Sequence, residues 1–393
     1  MRMLFRFLMV LTLSLTSVSL GSAGEDQGAR ARARQLGIEI GVLPPGPFNA
    51  ITDVPGVEVG HFTLKDTPRF NTGITAILPH GGNLFHSKVP AAIVVGNGFG
   101  KLLGSTQVNE LGELETPILL TGTLNVPRVA DGLISYMLSL PEMEEVRSIN
   151  PVVGETNDGY LSDIRARPLG EAEVRRAIAD AGSGPVSLGA VGAGAGTVCF
   201  GFKGGIGSAS RRLESEKGGW TVGVLVQSNF GGPLAISGLP SRIEGTPLGV
   251  FLEQHAAAAV TRPQTPDGSL MMVVATDAPL GHRNLRRMAQ RSLYGMARTG
   301  GYGSNGSGDY AIAFSTHEGR RIRRGSQPAV MDRPVVDNEA MSGLFLAVTE
   351  SVEEAILDSL FTATATRGFR GTVPAIPVEE VLLLTRATAS GNE

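Results

Sequence analysis

Glycine constrains this chain more than any other residue type. It occurs 53 times in 393 residues, without a fixed period, and mostly in tight turns beside short apolar runs. The missing period excludes a collagen-like repeat. The clustering points instead to a close-packed sheet protein, in which backbone approaches backbone or ligand where a side chain would be in the way. Apolar residues make up 42% of the chain and charged residues 18%. That is the balance of an ordinary globular protein with a substantial core, not of a disordered one.

Short β-like runs alternate with turns and helices. Residues 53–61 read as a turn and then a strand; 72–78, 91–96, 220–228, 269–276 and 310–315 read as further strands. Helical spacing marks residues 130–140, closed by Pro141, and residues 170–181, ended by Gly182 and Gly184. In residues 285–298, Leu285, Met288, Ala289, Leu293, Met296 and Ala297 form one apolar stripe, and Gly300 stops the helix. Residues 351–364 read as another helix, opened by the capping-box pattern Ser351-Val352-Glu353-Glu354. The run 378–384 is short and apolar. Strands that are apolar on both faces, intermixed with helices, imply an α+β layered sandwich with sheets inside and helices outside. No repeat and no linker divides the chain. Residues 261–268 hold two prolines, a glycine and polar side chains, and read as an exposed connector that ends where a strand begins.

The first residues read as a targeting signal. Arg2 and Arg6 precede an apolar stretch, residues 4–20, and the small residues Gly21-Ser22-Ala23 follow it. This is the layout of a secretory signal peptide cleaved after Ala23. The expected mature protein is a single domain over residues 24–393, secreted or periplasmic, with no membrane association once the signal is removed. The formal net charge is −3 and the densest basic cluster, residues 320–324, is short. That balance does not suggest a nucleic-acid partner, and the cluster reads as a solvated loop. Cys199 is the single cysteine, so no internal disulfide can form. Its apolar, glycine-rich surroundings suit a buried small hydrophobe.

Three constellations compete for the functional site. Residues 189–197 tempt a dinucleotide-binding reading, but the place of the third glycine holds Thr197 or Cys199 and no helix follows. Close strand packing accounts better for this stretch. A periplasmic protein binding a small phosphorylated ligand through residues 189–207 is the alternative function. The six histidines show no metal-ligand spacing, and neither a metal nor a cofactor is implied. The third candidate is Gly268-Ser269, where the connector meets an apolar strand. Cleavage between them would give Ser269 a free α-amine. Such an amine, of ordinary pKa about 7.7–8.0, suits a general base for the adjacent hydroxyl. A glycine before the serine would admit the strained geometry in which that hydroxyl attacks the preceding carbonyl.

The flanking residues carry a resemblance. Pro266-Asp267-Gly268-Ser269-Leu270, continued to Leu280, is similar to the nucleophile segment of the L-aminopeptidase/D-esterase and β-peptidyl aminopeptidase family. So, in order, are the segments at residues 114–118, 152–161, 201–211, 284–300 and 306–316, and the match runs from about residue 36 to the end. The resemblance implies an α-β-β-α sandwich like that of the N-terminal-nucleophile hydrolases. It implies self-cleavage into an α part, 24–268, and a β part, 269–393, that stay together and assemble as homo-oligomers of αβ units. It makes Ser269 the nucleophile, with Ser307 and Asp309 supporting it through hydrogen bonds. It makes Tyr160 and Asn229 donors near the oxyanion, and Glu155 the acid that receives a substrate ammonium. Some members carry Glu where this chain has Asp309, and the shorter side chain needs a closer backbone. The expected substrates are small peptides and amides.

Overall fold

The computed structural model describes residues 30–256, 267–325 and 329–390. The signal segment and most of the connector at 261–268 lie outside the described residues. Nine strands build the body: β1 (Glu58–Asp66), β2 (Phe70–Leu78), β3 (Ser87–Gly98), β4 (Ile118–Gly122), β5 (Val152–Thr156), β6 (Gly205–Arg212), β7 (Thr221–Asn229), β8 (Ser269–Thr276) and β9 (Gly308–Ser315). They form two sheets. One has the order β1-β2-β4-β5, and the other runs β3-β9-β8-β7-β6 with the short strand Ile322–Arg323 on the far side of β3. In the second sheet β8 pairs parallel with β9 and antiparallel with β7.

Period-two alternation gives the central strands two apolar faces. On β8, Met271, Val273 and Ala275 meet Ile77, Ile118, Leu120 and Val152 of the facing sheet. Leu270, Met272 and Val274 point the other way, into a cluster with α3 (His282–Arg298) and α4 (Met341–Phe361). The outer face of the first sheet, Ile74, Ala76, Leu119 and Val153, is covered by α1 (Val126–Leu138) and α2 (Glu171–Ala179). Three apolar interfaces between four layers make the α-β-β-α sandwich.

The structure changes three sequence readings. The capping-box pattern at Ser351 does not open a helix: Ser351 is buried in the middle of α4, which begins ten residues earlier. Its carboxylates serve ion pairs instead. Arg211, fully buried, contacts Glu350 at 3.0 Å and Glu354 at 2.6 Å. The Arg-rich lead adds Arg34 to Glu354 at 2.9 Å and Arg32 to Asp358 at 2.6 Å. The short run at 378–384 is the first part of a helix, α5 (Val378–Ser390). α1 begins at Val126, four residues before the reading at 130, because Pro127 suits a first helical turn.

The Gly-rich stretch 189–207 is filled by packing. A Cβ on Gly207 would lie 1.7 Å from the Ala355 carbonyl oxygen, so only glycine lets α4 rest this close on β6. Cys199 is buried, as its surroundings implied. Gly207→Ala must push α4 away from the sheet and should destabilise the protein by about 1–3 kcal/mol, the usual cost of overpacking. The check is the denaturant midpoint at unchanged slope.

Candidate active site

Ser269 is the first residue of β8, and both strands beside it bring a site residue level with it. Asn229, the last residue of β7, is its antiparallel partner, and Gly308, the first of β9, is its parallel partner. The serine is 4% exposed and forms part of the wall of a cleft of about 930 Å³. Phe99, Lys101, Thr123, Glu155, Tyr160 and Asn229 line the same cleft. Four predicted residues (Ser269, Asn229, Tyr160 and Glu155) are therefore brought to one cavity from three separate stretches of chain.

Gly268 is needed for a reason other than the one its sequence suggested. Its backbone is not left-handed. A Cβ there would instead lie 2.0 Å from the Asn229 carbonyl oxygen, so β7 closes over it. The Gly268 carbonyl accepts a 3.0 Å bond from the Gly308 N–H. The Asn229 Oδ1 accepts from the Val198 N–H at 2.9 Å. An N–H can only bond the amide oxygen, so the Asn229 NH2 is left as the donor available to the cleft. Tyr160 stands on the cleft wall, with its ring against Leu161, Val198 and Val373.

Ser307 and Asp309 are placed differently. A Cβ on Gly308 would lie 3.0 Å from the Ser269 Oγ, so Gly308 shares the face of the Ser269 hydroxyl. Ser307 and Asp309 alternate with Gly308 and take the opposite face, toward the α3 side. They flank the Ser269 backbone, not its hydroxyl. Ser307 Oγ donates to Asp309 Oδ1 at 2.8 Å, while the buried Asp309 Oδ2 has no partner. Burial pushes the Asp309 carboxyl up to about 6, against the pull of the Ser307 hydroxyl and the Leu270 N–H. The loop carrying Ser307 is clamped from both sides. Asn97 Nδ2 donates to the Ser304 carbonyl at 3.0 Å, and Asp267 Oδ1 accepts from Ser304 Oγ at 3.0 Å and Gly306 N at 3.1 Å.

Glu155 is the penultimate residue of β5 and is 3% exposed. Its Oε1 accepts from the Lys101 N–H at 3.2 Å, and its Oε2 is buried without a partner. Burial raises its pKa, opposed by the Lys101 N–H, the Lys101 charge and the Thr123 hydroxyl. An unpaired, desolvated carboxylate oxygen on a residue that lines a cleft is an acceptor suited to a cation.

A family comparison decides the assignment. The model of peptidase family S58 matches residues 49–373. The chain belongs to peptidase family S58. It is similar to β-peptidyl aminopeptidase BapA of Sphingosinicella microcystinivorans, with 38% identity over 91% of this chain and 93% of that protein. A Burkholderia sp. β-aminopeptidase structure shares 39% identity and superposes with a TM-score of 0.82, covering 91% of this chain and 99% of that one. L-aminopeptidase D-Ala-esterase/amidase from Ochrobactrum anthropi has 36% identity and a TM-score of 0.80 over the same shares; it is described as a prototype of the serine aminopeptidases and a new variant among the Ntn hydrolase folds. This S58 member is thus an aminopeptidase with an N-terminal-nucleophile hydrolase fold.

Sequence reasoning missed Lys101, Thr123 and Tyr310. Tyr310 has its ring against the positions of Gly100 and Gly308, between Glu155 and Ser269. The signal that could have found the first was the Asn97-Gly98-Phe99-Gly100-Lys101 run directly after a strand, a loop composition that often carries a site.

As the pH falls through about 6, Asp309 takes up a proton and Ser307 loses a charge-assisted bond. Turnover should fall on the acid side with an inflection near that value, and the pH–rate profile of Asp309→Asn should lack it. Stability responds in the opposite sense. The folded value exceeds the ordinary 3.8, so the protonated group favours folding, fully below 3.8, and this contribution is lost as pH rises through about 6.

Proposed function

We propose that this chain is an exported, self-processing serine aminopeptidase. It cuts itself between Gly268 and Ser269 and then uses Ser269 to remove N-terminal residues from small peptides and amides. The observation that carries the reading is the setting of the Gly268–Ser269 bond. The serine heads a central strand inside the cleft, its preceding carbonyl is polarised by the Gly308 N–H, and the Asn229 amide lies level with it.

In the first reaction the Ser269 Oγ attacks the Gly268 carbonyl carbon, the peptide C–N bond breaks, and water hydrolyses the resulting ester. This frees the Ser269 α-amine. In turnover that amine takes the hydroxyl proton, the oxygen attacks the substrate carbonyl, and the oxyanion is met by the Asn229 NH2 with Tyr160 on the same wall. The amine leaves with the proton, and water releases the acyl group from Ser269. Ser307 and Asp309 hold the backbone beside the new amine. Glu155 receives the substrate ammonium and so favours chain ends over internal bonds.

The two parts have reason to stay together after the cut. β7 of the α part and β8 of the β part are neighbours in one sheet, with their buried faces in shared clusters. The names of the relatives favour β-amino residues among the substrates. Export rests on the N-terminal segment, and assembly into oligomers of αβ units on the resemblance.

Two fragments are expected on a denaturing gel, the smaller beginning at Ser269, with the larger beginning at Gly24 by N-terminal sequencing. Ser269→Ala should give one uncut, inactive chain; a full-length active enzyme overturns the proposal. In processed enzyme, Asn229→Ala should lower kcat by about 10²–10³, the usual effect of losing one oxyanion donor, and should also lower the thermal midpoint, because the buried Val198 N–H loses its acceptor.

A further inference from the structure

We propose that Lys101, Thr123 and Glu155 together form a two-charge subsite. It reads substrates whose terminal residue carries a free carboxylate on the same carbon as its ammonium, one methylene from the scissile carbonyl. That is the head of a peptide linked through the side-chain carboxyl of aspartate. The inference rests on the aminopeptidase reading above, with Glu155 as the ammonium acceptor.

Three elements converge here: the loop after β3, the turn after β4, and the end of β5. Lys101 Nζ donates to the Thr123 Oγ1 at 2.8 Å, and the Lys101 N–H donates to Glu155 Oε1 at 3.2 Å. Among the described residues Lys101 is the one cation lining the cleft, where Glu155 and Asp267 are the acids. A lysine that served only to balance Glu155 would bring its ammonium to the unpaired Oε2. Here the ammonium bonds a neutral hydroxyl, and Oε2 is left buried without a partner. The ammonium carries three donors, and Thr123 takes one. Two donors on the lysine and one shielded, unpartnered acceptor on the glutamate therefore stand side by side in the wall of the cleft, with Thr123 holding the lysine in place.

An ammonium and a carboxylate on one carbon complement this pair as alternating charges. The substrate ammonium meets Glu155 Oε2, and its carboxylate meets Lys101 Nζ. The single methylene then carries the side-chain carbonyl toward Ser269. Hydrolysis adds water across that amide: the C–N bond breaks, a C–O bond forms through the acyl-Ser269 intermediate, and free aspartate and an amine leave. A β-alanyl substrate has the same spacing and lacks only the carboxylate, so the comparison of the two isolates the contribution of Lys101.

The test measures kcat/KM for β-aspartyl and β-alanyl p-nitroanilides with processed wild type, Lys101→Met and Lys101→Arg, with thermal midpoints as the folding control. Wild type is expected to hydrolyse the β-aspartyl compound at least as efficiently as the β-alanyl one. In Lys101→Met the β-aspartyl to β-alanyl ratio should fall at least about tenfold, chiefly through KM, the size expected when a charged partner loses its counterpart; Lys101→Arg should restore most of it. A ratio unchanged in Lys101→Met, or wild type that cleaves β-alanyl but not β-aspartyl substrate, overturns the subsite and leaves the aminopeptidase reading standing. Hydrolysis of neither compound, together with no cleavage of α-aminoacyl anilides, overturns that reading and this proposal with it.

Discussion

The register of β8 between β7 and β9 is the constraint on which the site depends. Ser269 lies level with Asn229 on one side and Gly308 on the other. A slip of one residue would turn every side chain of β8 to the opposite face. Ser269 would then leave the cleft for the helical layer, and Met271, Val273 and Ala275 would lose the facing sheet. The apolar cores on the two faces of one strand thus hold the nucleophile candidate in place. The same packing explains the glycines at the strand heads: Gly268 passes under the Asn229 carbonyl, where no side chain fits.

Burial then sets the electrostatics. Two carboxylates near Ser269, Glu155 and Asp309, each keep one buried oxygen without a partner, and desolvation raises both. They stand in different settings. Glu155 opens to the cleft beside Lys101 and Thr123, where an incoming cation can reach it. Asp309 lies behind the strand with Ser307, on the side of the Ser269 backbone. The sheet between them separates a group suited to meeting substrate from one suited to tuning the serine from behind. β3 bulges opposite Asp309, where pairing shifts between Asp309 and Tyr310.

A second set of charges holds the outer layer. α4 carries Glu350, Glu354 and Asp358 on a buried face, met by Arg211 from β6 and by Arg32 and Arg34 from the lead before the first strand. Removing one partner of such a pair strands a charge in a medium that cannot solvate it. The Arg-rich lead, polar in composition, therefore belongs to the body of the protein and ties it to the helix that covers the central sheet.

Much of this was legible from residues alone. β8 was read to the residue, because its apolar run starts sharply after Asp267-Gly268, and the stripe of α3 was unmistakable at helical spacing. The family motifs marked Ser269, Asn229, Tyr160 and Glu155, which share the cleft. The start of α4 was misread because local charge pattern cannot tell a capping glutamate from one paired to an arginine 143 positions away. Thr123 is unremarkable in its own segment, and Lys101 is marked there only by its glycine-rich loop after a strand; both acquire meaning from Glu155. Sequence by itself marked six of the nine strands, their apolar character and the candidate serine, since these depend on neighbours along the chain. Tertiary structure alone decided which face Ser307 and Asp309 occupy, why Gly268 must be glycine, and which charges meet in the cleft, since those depend on contacts between segments that the chain order keeps apart.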